Sequence, residues 1–252
     1  MRFKLLIGSV VAMIVVSATL AFHSNSKIQQ RTEERTVRVV VNQLPAQENR
    51  IPVEIIQATA TSSAPNILDD VRYALKNNSG KAISAVAVIK KVFYRDNGKL
   101  VGLSLYSTVD FAFHPDMTGS KPFASMPEVP MEAAGPMSFE DGVVIESVKL
   151  KIEYIEYVGS GSYGVGSEGE HRIMSQREGA RKYKALLRQT YSQAGKSLVT
   201  VVPLLEENPN PEQLKLTEDE ILGADRYRRY LLKTLRTKGA AEVEKYIKLK
   251  EQ

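Results

Sequence analysis

The sequence predicts a mainly β protein with α: an N-terminal membrane-anchor helix, an antiparallel Ig-like β-sandwich and a C-terminal helical segment. Three observations carry that prediction. Residues 5–22 form an uncharged, mostly apolar run behind Arg2 and Lys4. Between residues 51 and 158 apolar residues recur with period two, interrupted by hairpin sequences and by no helical stretch. Beyond a glycine-rich run at 159–170 the apolar period becomes 3.6, and helices fill the region 171–252.

Met1 to Lys4 is a short basic start, and the apolar run from Leu5 to Phe22 lies at the lower edge of a membrane span and above the usual signal-peptide core. Residues 1–22 are therefore a signal anchor or a signal peptide. Cleavage would follow Ala21, although Thr19 is larger than the residue that site prefers. Basic residues ahead of the run keep the N-terminus in the cytoplasm and place the rest on the far side. The expected location is the membrane, facing the periplasm or another extracytoplasmic space, or secretion if the signal is cut. Residues 23–50 are polar and read as a tether, with Thr36–Val41 able to form one short strand.

Pro52–Gln57 is the expected first strand of the sandwich, and Val71, Tyr73 and Leu75 alternate as in a half-buried second one. Asn77-Asn78-Ser79-Gly80 is a turn. Both faces of Ile83–Tyr94 are apolar, which places that strand centrally, and Asp96-Asn97-Gly98 sends it into a return strand through Val101–Phe111. Residues 114–136 carry repeated Pro and Met and read as a long loop without regular structure. Val148, Leu150, Ile152 and Tyr154 alternate with charged residues, and the phase slip at Tyr154-Ile155 predicts a bulge.

After the flexible run 159–170, Ser175–Ala194 has helical spacing and stops at Gly195. Residues 197–202 read as a strand or apolar connector. Thr217-Glu218-Asp219-Glu220 is a capping box that opens a helix running to about Lys238, and a charged helix covers Ala240–Lys250.

The chain has 252 residues, a formal charge of +5 and no cysteine, so disulfides, thiolate zinc sites and cysteine nucleophiles are excluded. A cysteine-free exported chain fits a bacterial envelope. Gly159-x-Gly161-x-x-Gly164 and Gly164-x-Gly166-x-x-Gly169 both match a dinucleotide fingerprint. Neither has the buried strand, the helix opening inside the motif or the βαβ context that binding needs, so no cofactor is expected. Ser162 lacks the first glycine of a nucleophile elbow. The histidines are His23, His114 and His171, without metal-ligand spacing, and the carboxylate clusters Asp69-Asp70, Glu140-Asp141-Gly142 and Glu218–Glu220 fall at turns or a helix start. No catalytic, cofactor or metal site is assigned.

Residues 171–252 hold 17 Lys and Arg against 11 Asp and Glu. Within them Arg226, Arg228, Arg229, Lys233 and Arg236 concentrate charge on the capped helix, a candidate patch for lipid head groups or an acidic envelope polymer. Nucleic acid is not an expected partner.

Leu75 to Ile83 and Val92 to Lys99, with Phe93, Tyr94, Asp96 and Gly98 at the turn, resemble FxLYD-type bacterial extracytoplasmic β-sandwich domains over about residues 75–99. The resemblance implies a non-catalytic binding or structural module and carries no binding residue across. The expected function is thus a membrane-anchored or exported envelope protein that binds or supports another component, with membrane contact through residues 5–22. The alternative is an envelope hydrolase whose site the sequence does not assemble.

Overall fold

Asn97 and Gly98 take positive φ, 48° and 78°, and close a two-residue hairpin whose twist matches its strands. The computed structural model that shows this describes residues 35–45, 52–110, 128–132, 136–159 and 161–248. In chain order its strands are β1 (Arg35–Thr36), β2 (Arg38–Asn42), β3 (Val53–Ser62), β4 (Ile67–Leu68), β5 (Asp70–Asn77), β6 (Ile83–Asp96) and β7 (Lys99–Asp110). They are followed by β8 (Glu128–Glu132), β9 (Met137–Ser138), β10 (Val144–Tyr157) and β11 (Ser162–Tyr163). The helices are α1 (Glu168–Gln193), α2 (Val202–Glu206), α3 (Pro211–Leu214), α4 (Glu218–Lys238) and α5 (Ala240–Lys248).

One sheet has the order β1-β3-β5-β8 and another β11-β10-β6-β7, with β2 added beside β10 and a short β4-β9 pair apart. Pairing is antiparallel except for β2, which runs parallel to β10 with Arg38 opposite Ser147 and Asn42 opposite Lys151. The molecule is mixed α/β, mostly antiparallel in its sheets, with helices at its C-terminal end.

The two larger sheets share one apolar core. Val53, Ile55, Val71 and Leu75 of the first meet Val86, Val88, Val92, Val148, Leu150 and Ile152 of the second. Fully burying such side chains contributes about 1.5–3 kcal/mol each. The two apolar faces of β6 have two different partners. Val86, Val88 and Val92 face the other sheet, whereas Ala85 and Ala87 join Tyr154 and Ile173 under α1. Alanine here lets the helix approach, and a Cβ on Gly169 would come within 2.8 Å of the Ala87 Cβ. On the core side Lys90 breaks the apolar pattern, at 2% exposed.

α1 and α4 cross at two glycines. A Cβ on Gly179 would run into the Glu220 carbonyl, and one on Gly223 into the Gln176 carbonyl. Around that crossing Ala180, Tyr183, Leu187, Ala224, Tyr227 and Leu231 bury a second core, closed by Val243 and Ile247 of α5.

The bulge expected at Tyr154-Ile155 falls between Ile152 and Tyr154, and the Thr217–Glu220 capping box forms with both of its hydrogen bonds. Other expectations are corrected. Of connector and loop, the glycine run is a loop that packs on β10: its Ser162-Tyr163 folds back onto Glu156 and Ile155, and a Cβ on Gly164 would strike the Glu153 carbonyl. α1 starts at Glu168 rather than Ser175, capped by Ser167, whose hydroxyl accepts from the Glu170 N–H. Residues 197–202 form a 3-10 turn and the start of α2, not a strand. Within the Pro- and Met-rich stretch, 128–132 pairs with β5 as an edge strand, where Pro130 removes no interior ladder bond. The short strand expected within Thr36–Val41 is present as β2, built into a sheet beside β10. The run 5–22 lies outside the described residues, and among the described residues no helix is long and apolar enough to cross a membrane.

Candidate functional site

The helices meet the five-stranded sheet through polar side chains as well as alanines. β7 ends at Asp110, β10 carries Glu156 near its end, and α1 projects Arg177 between them. Arg177 donates from Nε to Asp110 Oδ2 at 2.6 Å and from Nη2 to Oδ1 at 3.1 Å. It also donates from Nη1 to Glu156 Oε2 at 2.8 Å and from Nη2 to Oε1 at 3.1 Å. One guanidinium thus holds two carboxylates in paired hydrogen bonds, the geometry its planar fork favours. Ser84 of β6 donates to Glu156 Oε1 at 2.6 Å, and the Tyr154 hydroxyl donates to Oε2 at 3.3 Å.

Burial alone would raise the Glu156 pKa, but the hydrogen bonds from Arg177 and Ser84 outweigh it and hold the carboxyl below its ordinary value. Burial likewise opposes the charge on Arg177, and its bonds to Asp110 and Glu156 overcome that and raise its pKa. The cluster is a fixed set of charges whose donors and acceptors are turned on each other.

Beside this cluster lies a cleft of about 340 Å³, counting its open mouth, lined by Asp110, Gln176, Arg177, Ala180, Gly223, Arg226 and Tyr227. Arg226 reaches it from α4. Its Nη1 donates to Thr108 Oγ1 at 2.9 Å and to Gln176 Oε1 at 2.8 Å, and Thr108 Oγ1 donates to the same Gln176 oxygen at 2.8 Å. Burial, and then the charge of Arg229, lower the Arg226 pKa. Arginine nevertheless stays protonated at any physiological pH.

The five basic residues expected to form one patch do not share a face. Arg226 turns to the sheet, and Arg228, 8% exposed, donates to Asp225 Oδ1 and to the Leu205 carbonyl, pinning α4 to α2. Arg229, Lys233 and Arg236 are exposed, with Arg229 paired to Asp225 at 2.9 Å. That leaves three cations, spaced four and three residues apart, along the outer side of α4.

Of the other residues weighed from sequence, His171 is exposed in the first turn of α1, and Ser162 is exposed in β11. His23 and His114 lie outside the described residues. Asp69 accepts from Ser63, Asp70 pairs with Arg72, and Glu220 closes its capping box while accepting from Lys182 Nζ at 2.8 Å. No group of three or more His, Cys, Asp or Glu able to hold a metal occurs among the described residues. The residues that sequence reading missed are Thr108, Asp110, Glu156, Gln176 and Arg177. Thr108 and Asp110 sit in phase on one face of β7, and Gln176 and Arg177 lie on the buried side of a helix. For Gln176, spaced with Ile173, Ala180 and Tyr183 along α1, a polar residue in phase with an apolar stripe was the available signal, whereas Thr108 and Asp110 lie on the face of β7 opposite its apolar set and carried none.

Comparison with known proteins gives no match, whether to a family model, a curated protein or a solved structure.

Proposed function

We propose that this chain is a membrane-anchored or exported envelope protein that acts as a non-catalytic binding or structural module. Residues 5–22 carry it to the membrane, and the folded part stands on the extracytoplasmic side. In finer detail the two sheets are an Ig-like sandwich in architecture, with a strand order of their own: β1-β3-β5-β8 against β10-β6-β7. The partner is an envelope protein or an anionic polymer or lipid surface.

The observation that carries the reading is Arg177. The described residues gather two carboxylates, Asp110 and Glu156, and two arginines, Arg177 and Arg226, in and beside one cleft, the composition from which a hydrolase would be assembled. Yet Arg177 takes both oxygens of Asp110 and of Glu156, which makes the cluster a fastening between helix and sheet. A carboxylate working as acid or base needs a pKa moved toward the working pH, and Glu156 is moved away from it.

The test is crosslinking in native membranes with a C-terminal affinity tag, followed by mass spectrometry of what co-purifies. A single stoichiometric envelope partner supports an assembly role. Recovery of the tagged chain alone overturns the protein-partner form of the reading and leaves a small or polymeric ligand.

A further inference from the structure

We infer that the cleft beside Arg226 binds a small oxyanion, a carboxylate or phosphate group, on the open edge of the Arg226 guanidinium. The inference rests on the reading of the chain as a binding module and supplies that module with a ligand class.

Three arginines surround the α1–α4 crossing, and two of them are matched by carboxylates. Arg177 has Asp110 and Glu156, and Arg228 has Asp225 together with the Leu205 carbonyl. Arg226 has neither. Its two acceptors, Thr108 Oγ1 and Gln176 Oε1, are both neutral and both served by Nη1 alone. Nε and Nη2, with three N–H groups between them, meet no acceptor among the described residues. A half-buried guanidinium with two donor nitrogens not hydrogen-bonded to a carboxylate carries a desolvation cost that an incoming anion relieves. The Nε–Nη2 edge is also the edge that takes a carboxylate or phosphate through two parallel hydrogen bonds.

The surroundings leave room for a ligand. Asp110 lines the same cleft and binds Arg177 through both oxygens, and its charge, with that of Asp219, also acts on Arg226. Gly223 and Ala180 line the cleft with almost no side chain, leaving room beside the guanidinium, and Tyr227 gives it an aromatic border. The two bonds from Nη1 fix the orientation of the fork before anything binds, which lowers the ordering cost of binding. The cleft volume suits a group of a few heavy atoms, a free small anion or the end of a larger acidic molecule.

The experiment is an arginine-selective NMR titration of the full-length protein in neutral detergent, at constant ionic strength. Sodium succinate and inorganic phosphate are added separately, and the Nε–Hε signal absent from Arg226→Gln is followed. The expected result is a saturable shift with at least one of the two anions; in Arg226→Gln, where the response is followed on the Arg177 Nε–Hε signal, binding is weakened at least about tenfold. It should be unchanged in the triple variant R229Q/K233Q/R236Q, which removes only exposed charge. Succinate alone assigns a carboxylate ligand, and phosphate alone a phosphate one.

Arg226→Gln also loosens Thr108 and Gln176, so its circular dichroism and thermal unfolding are recorded beside Arg226→Lys. That variant keeps a charge for those two acceptors and lacks the fork. In Arg226→Lys the shift is followed on the other cleft-lining residues, and binding weakened there with the fold intact supports the site. No saturable shift with either anion, or a shift equally strong in both Arg226 variants, overturns it. A crosslinked envelope partner alongside an unresponsive Arg226 removes this inference and leaves the module reading in place. A responsive Arg226 with no crosslinked partner supports it while removing the protein partner.

Discussion

Between the two sheets, Ile55, Leu75, Val86, Val88, Val148 and Leu150 meet with side chains at most 3% exposed. On its other side the same five-stranded sheet meets the helices through Ala85, Ala87 and Tyr154, and then through Asp110, Glu156 and Thr108. The first seam is non-directional and gains its energy from area removed from water. The second is directional, since it places α1 by the length and angle of hydrogen bonds to one guanidinium, and it leaves a cleft open beside them. A module that needs a stable frame and a defined recess gets the frame from the apolar seam and the recess from the polar one.

Several substitutions break or sharpen that contrast. The largest effect is expected at the helix crossing, where Gly179→Val or Gly223→Val must push backbone away from backbone. Either should destabilise by roughly 3 kcal/mol or more, above the usual range for overpacking because the obstacle is a carbonyl and not a rotatable side chain. Denaturant unfolding followed by tyrosine fluorescence would register it.

Arg177→Met comes next. It leaves Asp110 and Glu156 facing each other without their cation, at a cost of about 3 kcal/mol. Its pH dependence has a definite sign. Because the Glu156 pKa is lowered in the folded protein, its contribution is present above the ordinary value of 4.5 and is lost as pH falls through the folded value. Removing Arg177 should therefore move the onset of acid unfolding to higher pH. An unchanged acid midpoint would show that the clamp contributes nothing.

Lys90→Met tests the apolar seam and should stabilise by about 1 kcal/mol, since it removes a charge from an otherwise aliphatic layer. Burial lowers the Lys90 pKa, against the opposing charge of Asp70. The unfolded chain therefore holds this proton to higher pH than the native one does. Stability of the native protein should rise with pH from the lowered value up to 10.5. Lys90→Met should flatten that rise in a series of thermal scans.

The smallest change in stability, within about 0.5 kcal/mol, is expected for R229Q/K233Q/R236Q. Sedimentation with anionic liposomes is the useful readout for that variant. Weaker binding supports a surface-charge contact along α4, and unchanged binding removes it.

Much of this frame was legible in the sequence because its determinants are local. The Asn97-Gly98 hairpin, the central position of Ile83–Tyr94 and the Thr217 capping box each depend on residues a few positions apart. The start of α1 was missed because Gly169 made 159–170 look like one linker. The Ser167-x-x-Glu170 pattern inside it marked the true boundary, and Glu170 Oε2 accepts from the Gly166 N–H. The strand at 128–132 was hidden by Pro130, which an edge strand tolerates. The candidate site was legible only in fragments: Arg226 stood in the expected basic patch and Gln176 interrupted an apolar stripe, with nothing in the sequence to join them. Asp110 and Arg177 are 67 residues apart, and Thr108 and Arg226 are 118 apart. In the sequence Arg226 is one of several neighbouring cations. Only the rotation of α4 set by Gly223 against Gln176 separates it from Arg229, three residues on, which points to solvent.

The parallel pairing of β2 with β10 has a mechanical meaning. A pull on the chain from the N-terminal side of Arg38, resisted at the far end of β10, drags β2 along its own length. The ladder from Arg38–Ser147 to Asn42–Lys151 is then loaded all at once, in shear, instead of being peeled open one bond after another. Rupture under force is governed by the unfolding rate, and simultaneous loading is the arrangement that keeps that rate low. Once the two-residue β1 has been pulled from β3, β2 is thus the grip against tension from that side.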